Sequence, residues 1–166
     1  YDWAGKVPFS DMPFIFNPKK GYIATANNKT INDFPYYISG LWADPSRADQ
    51  INYRLDTMKS ATVEDMMSMQ LDQTSQFAKD ILPYILETEE DKESKHVKRA
   101  FQFLKNWDFV EDVDSEAALV FNVIVKNLVF NLYGDEISLL GENYLEAFRS
   151  VFWNKLLNNK KVERRY

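Results

Sequence analysis

The feature that most constrains this chain is a change of period near residue 45. Five of its six prolines, Pro8, Pro13, Pro18, Pro35 and Pro45, fall within that first stretch, which Gly5, Gly21 and Gly40 also punctuate. Proline lacks an amide hydrogen and glycine tolerates left-handed backbone, so the stretch reads as short extended runs and turns. Phe14–Phe16 and Tyr22–Ala26 are its two strand candidates, with Asn17, Pro18, Lys19, Lys20 and Gly21 as a hairpin connection. Two strands do not make a stable sheet by themselves.

Beyond Pro45 the apolar residues recur at helical spacing. Asp44 reads as an N-cap and Pro45 as the first helical residue, with Ile51, Leu55 and Met58 on one face. Thr62 to Asp65 resembles a capping box with Asp in place of Glu, and Met66, Met67 and Met69 after it read as adaptable core filler. Phe77, Ile81, Leu82 and Ile85 mark the next helix, which Pro83 should kink or restart. The charged run Glu87–Lys95 reads as a solvated connection, and Val97, Ala100, Phe101, Leu104 and Trp107 define another amphipathic helix. Asp114 is placed to cap a long helix through Ala118, Phe121, Val125, Leu128 and Leu132, which Gly134 can end. Leu145, Phe148, Val151, Phe152 and Leu156 supply a last one. The expected fold is α+β, mainly α: a β-hairpin and loop segment over residues 1–44, then a helical segment over 45–166 with five or six helices.

Several classes of function are disfavoured. The net charge of -5 and pI near 5.0 offer no broad basic face for nucleic acid, and the cluster Lys155, Lys160, Lys161, Arg164 and Arg165 reads as a solvated helix end. With no cysteine and a single histidine, His96, neither a thiol nucleophile nor a zinc site is expected from this chain. No apolar run approaches the ~18 residues of a membrane span. There is no Gly-rich phosphate loop and no nucleophile elbow, and Glu64, Asp65, Asp112 and Asp114 read as caps and loop charges. A self-contained catalytic set is missing. The 12 Phe, 9 Tyr and 4 Trp therefore keep open a non-enzymatic helical interaction domain.

The informative constellation begins where GYIATANN ends on Asn27 and Asn28. That pair is either a turn, since Asn tolerates positive φ, or a side-chain donor held at the end of a strand. Around it lie D-W-x-G at Asp2 to Gly5 followed by Pro8 and Phe9, N-P-x-x-G-Y from Asn17, D-F-P at Asp33 to Pro35, Leu41 with Trp42, and P-x-R-A-D-Q-I from Pro45 to Ile51. In this order they resemble the penicillin acylase (penicillin amidase) family of N-terminal-nucleophile hydrolases. The likeness is most specific over about residues 1–75, including a Q-x-D at Gln70 to Asp72. Leu104 to Ala118 still resembles the family's Trp-Asp segment, without the glycine that often follows it.

The resemblance implies a parent with an αββα sandwich, in which autocatalytic cleavage exposes a serine whose own α-amine assists attack on a linear amide. Tyr1 cannot fill that role, so the resemblance places this chain downstream of the serine in the nucleophile-bearing subunit and inactive alone. Its partners would be the rest of its precursor and a small amide substrate, without nucleic acid or membrane, and the parent would be periplasmic or exported. A descendant that has lost catalysis is the related alternative. By resemblance Asn27 is the oxyanion-hole donor and Asn28 the turn residue. Arg47 matches an arginine near the nucleophile and its amine; its plainer reading is an ion pair with Asp44. Calcium-binding members carry an aspartate shortly after the D-Y-P segment. Here Tyr36, Tyr37, Ile38 and Ser39 follow Pro35, with no carboxylate among them, so no cofactor is expected in this segment and calcium is not expected at Pro35 to Ser39, while the resemblance leaves calcium open for the parent.

Overall fold

The computed structural model describes residues 5–88 and 94–138. After a 3-10 turn at Phe9–Asp11 come α1 (Ser46–Thr57), α2 (Val63–Gln70), α3 (Gln76–Leu86), α4 (Lys95–Lys105) and α5 (Glu116–Ser138). The two expected strands are not present: among the described residues there is none, and Phe14–Phe16 and Tyr22–Ala26 are irregular. Their connection does turn, with Asn17 and Gly21 at φ 43° and 81° and the Gly21 N–H donating to the Pro18 carbonyl at 2.9 Å. What is lacking is a ladder partner, and Phe14 and Phe16 stand 89% and 86% exposed.

Helix starts follow local chemistry. Asp44 accepts the N–H and the hydroxyl of Ser46, and the Pro45 carbonyl accepts the Asp49 N–H at 2.8 Å, so Pro45 already has helical backbone. Thr62 and Asp65 form the expected reciprocal capping box. The methionines after it are not core filler, however, because α2 buries none of its residues. Ser75 caps α3, which runs through Pro83 to Leu86; so near the C-terminus the missing donor removes one bond without ending the helix.

Ser94 caps α4. For α5 the cap is Ser115, which accepts the Ala118 N–H at 3.2 Å, rather than Asp114, whose own N–H is held by the Asp112 carboxylate. Nor does Gly134 end α5, which continues to Ser138: glycine weakens a helix but keeps its amide hydrogen. The expected helix over Leu145 to Leu156 and residues 89–93 of the charged run lie outside the described residues.

The core lies among α3, α4 and α5. Ala78, Ile81, Leu82, Leu104, Ala118, Phe121, Val125 and Val129 fill it, and Phe121 meets Phe77 edge-on at 6.0 Å and Trp107 at 5.3 Å. A short antiparallel pairing ties the start of α3 to the α4–α5 connection: Ser75 N–H donates to the Phe109 carbonyl and Glu111 N–H to that of Gln73. The Trp107 indole N–H donates to the Val110 carbonyl at 3.0 Å, satisfying the one polar atom of a buried ring.

Candidate functional site

Ahead of the core, residues 20–28 run antiparallel along α1. The Tyr22 hydroxyl donates to the Asp56 carboxylate at 2.7 Å, and Lys20 Nζ to Asn52 Oδ1 at 2.8 Å, both in the C-terminal half of α1. At the other end the Asn27 carbonyl accepts the Ala43 N–H at 2.8 Å. This course carries Asn27 to the N-terminal end of α1, where Arg47 sits in the first turn.

The two asparagines divide the turn between them. Asn27 adopts φ 61°, in the left-handed region, while Asn28 Oδ1 accepts the N–H of buried Ala26 at 3.0 Å and its Nδ2 donates to the Lys29 carbonyl. Asn27's side chain is exposed and has no hydrogen-bond partner among the described residues. Its amide is therefore a free donor on a backbone fixed from both sides.

Arg47 is exposed and forms no ion pair among the described residues; Asp44, its plain alternative partner, is engaged by Ser46. It lines a cleft of about 330 Å³ between α1 and the α2–α3 connection, together with Gln50, Ile51, Arg54, Met69, Gln70, Asp72 and Thr74. Asp72 is the hub of that cleft. Its carboxylate accepts from Gln50 Nε2 at 2.8 Å, Arg54 Nη1 at 2.9 Å and the Thr74 N–H at 2.9 Å. Burial pushes this carboxyl up, but hydrogen bonds from Thr74, Gln50 and Arg54 outweigh it and hold the group well below the usual carboxylate range. Reading the sequence missed Gln50 and Arg54; the signal was their spacing of three and seven residues from Arg47 on one helix face.

Other sequence candidates stand apart. His96 is exposed on α4, Asp65 belongs to the capping box of α2, and Asp112 holds the Asp114 N–H in the loop before α5. Among the described residues no three carboxylate or imidazole groups converge as metal ligands, and near Pro35 to Ser39 the Tyr36 hydroxyl donates to Asp11 while Ser39 bonds the Leu41 backbone. No described helix is long and apolar enough to cross a membrane.

Among the described residues, then, Asn27 carries an unpartnered side-chain amide on a left-handed turn fastened ahead of α1, and Arg47 an unpartnered guanidinium in the first turn of that helix. The family model for penicillin amidase matches residues 1–165, and the chain belongs to that family. Penicillin acylase 2 proenzyme of Pseudomonas sp. (strain SE83) is 30% identical over 77% of this chain and 16% of its own length. Acyl-homoserine lactone acylase QuiP of Pseudomonas aeruginosa is 35% identical over 46% of this chain and 9% of its own, and penicillin G acylase of Escherichia coli 33% over 39% and 8%. The chain thus spans less than a fifth of the curated relatives named here. No solved structure matches it.

Proposed function

We propose that this chain is part of an amide hydrolase of the penicillin acylase type, which cleaves a linear amide through an N-terminal serine acyl-enzyme. The observation that carries the reading is the free Asn27 amide on its clamped turn, in a chain whose family match runs over residues 1–165. In this reading the serine and its α-amine lie in another part of the same precursor. The amine takes the serine proton as the oxygen attacks the carbonyl, and the substrate oxygen becomes negative. Asn27 Nδ2 donates to that oxygen, and a donor aimed at developing charge is among the strongest single contributions to rate. Arg47 holds the nucleophile, its amine or the substrate in place. The tetrahedral intermediate then breaks its C–N bond as the protonated α-amine returns its proton to the departing amine, and water hydrolyses the acyl-serine, releasing the acid and restoring the serine hydroxyl.

The relatives named above support the class of bond and differ in the compound their names carry, a penicillin or an acyl-homoserine lactone. The reading includes an exported parent and assigns no cofactor to this segment. Its test is the turnover of the full-length parent bearing Asn27→Ala. A fall of about 10² to 10³ with the fold preserved is expected, and an unchanged rate would refute the assignment.

A further inference from the structure

Arg47, Gln50, Ile51 and Arg54 form one stripe along α1, at intervals of three and four residues. A single carboxylate from outside the helix grips two of them: Asp72 accepts from Gln50 at 2.8 Å and from Arg54 at 2.9 Å. Arg54 reaches on to the Ser68 hydroxyl of α2 at 3.1 Å, and Asp72 is pinned in turn by the Thr74 N–H. Gln50 is the buried polar side chain of the stripe, and its orientation follows from the bond, since only its NH₂ end can donate to a carboxylate. Arg47 alone among the three polar members has no partner among the described residues.

We propose that Asp72 is a positioning residue for Arg47: by gripping Gln50 and Arg54 it fixes the roll of α1 about its own axis and cancels the second positive charge of the cleft. The inference rests on the site role of Arg47 proposed above. Side chains of an α-helix extend about 5–6 Å from its axis, so a roll of roughly 10° moves such a tip by about 1 Å. A misplacement of that size costs on the order of 100-fold in rate. Neutralising Arg54 matters as well, because two unpaired guanidiniums in one cleft would compete for whatever group Arg47 has to meet.

The test is a double-mutant cycle in the full-length parent, with Arg47→Ala and Asp72→Asn alone and together, reading kcat, KM and the thermal midpoint. Asp72→Asn should lower kcat/KM by at least about tenfold when Arg47 is present and change it little in the Arg47→Ala background. Gln50→Met keeps the side-chain volume, removes one grip, and should show a smaller loss that likewise vanishes without Arg47; it carries the test if Asp72→Asn does not fold. Equal losses in both backgrounds would show that Asp72 serves stability alone and overturn the proposal, as would undiminished turnover of the Asp72→Asn single variant when Arg47→Ala on its own impairs the enzyme. If Arg47→Ala itself leaves turnover intact, the site role of Arg47 fails first and the inference falls with it, an outcome distinct from the other two.

Discussion

Asn27 and Ala43 are joined backbone to backbone, the carbonyl of one accepting the N–H of the other at 2.8 Å. The turn is therefore fastened to the head of α1 without using the Asn27 side chain, so donor and scaffold are separable by substitution. Asn27→Gly keeps the left-handed backbone at no steric cost, whereas Asn27→Val must force a β-branched residue to φ 61°. We expect Asn27→Gly to leave folding stability within about 0.5 kcal/mol of wild type while abolishing most turnover, and Asn27→Val to lose about 1–2 kcal/mol of stability besides, both read from thermal unfolding. Equal stability of the two variants would contradict the assigned backbone.

Asp72 makes the stability of this region sensitive to acid. Its folded-state pKa is depressed below the ordinary 3.8, so the folded state releases the proton more readily than the unfolded one. The sign follows: its contribution is fully present above pH 3.8 and is lost as pH falls from there toward the folded value. Asp72→Asn should flatten that acid limb and cost about 2 kcal/mol at neutral pH, the worth of a hydrogen-bonded charge. Urea denaturation at a series of pH values reads both effects.

Phe121 has no exposed surface and lies between Phe77 and Trp107. Its replacement by Ala should cost about 3–5 kcal/mol, because transfer and cavity costs add. Phe121→Leu should cost clearly less. Thermal denaturation followed by far-ultraviolet dichroism checks the order.

Ser115 rather than Asp114 receives the Ala118 N–H, one of the unpaired donors in the first turn of α5. Ser115→Ala is expected to cost about 1 kcal/mol, and Asp114→Ala, at an exposed position, less than half of that. Denaturant midpoints of the two variants decide between the two caps.

Helix positions were legible in the sequence because an apolar stripe and a capping residue are both local. Phe121 and Val125 show their burial by spacing alone, and Thr62 with Asp65 shows its box by chemistry. The strand candidates failed for the opposite reason, since Phe14–Phe16 and Tyr22–Ala26 have β-type composition but a strand exists only with a neighbour to pair with. Met67 was misjudged because an apolar side chain does not reveal which face its helix turns to the core. Asn27 stood out as a motif, yet that its own backbone carries the left-handed turn while Asn28 clamps it could be seen only in three dimensions. The Asp72 hub was hidden because its partners Gln50 and Arg54 lie 22 and 18 residues away. Nothing in local patterning announces such a bond.

One consequence follows from where the contacts fall. The buried cluster joins α3, α4 and α5, and α1, which buries Ala48, packs on α3; the segment bearing Asn27 is instead held by polar bonds to Asn52, Asp56 and Ala43. Polar ties can be exchanged for water one at a time, but an apolar cluster is lost as a unit. The amide hydrogens of Ala26 and Ala43 should therefore exchange with solvent deuterium through small openings, at conditions where those in the middle of α5 exchange only with global unfolding. The segment that presents the Asn27 amide can then breathe while the foundation under it stays intact, and under the function proposed above that give would serve the entry of a substrate and the departure of its products.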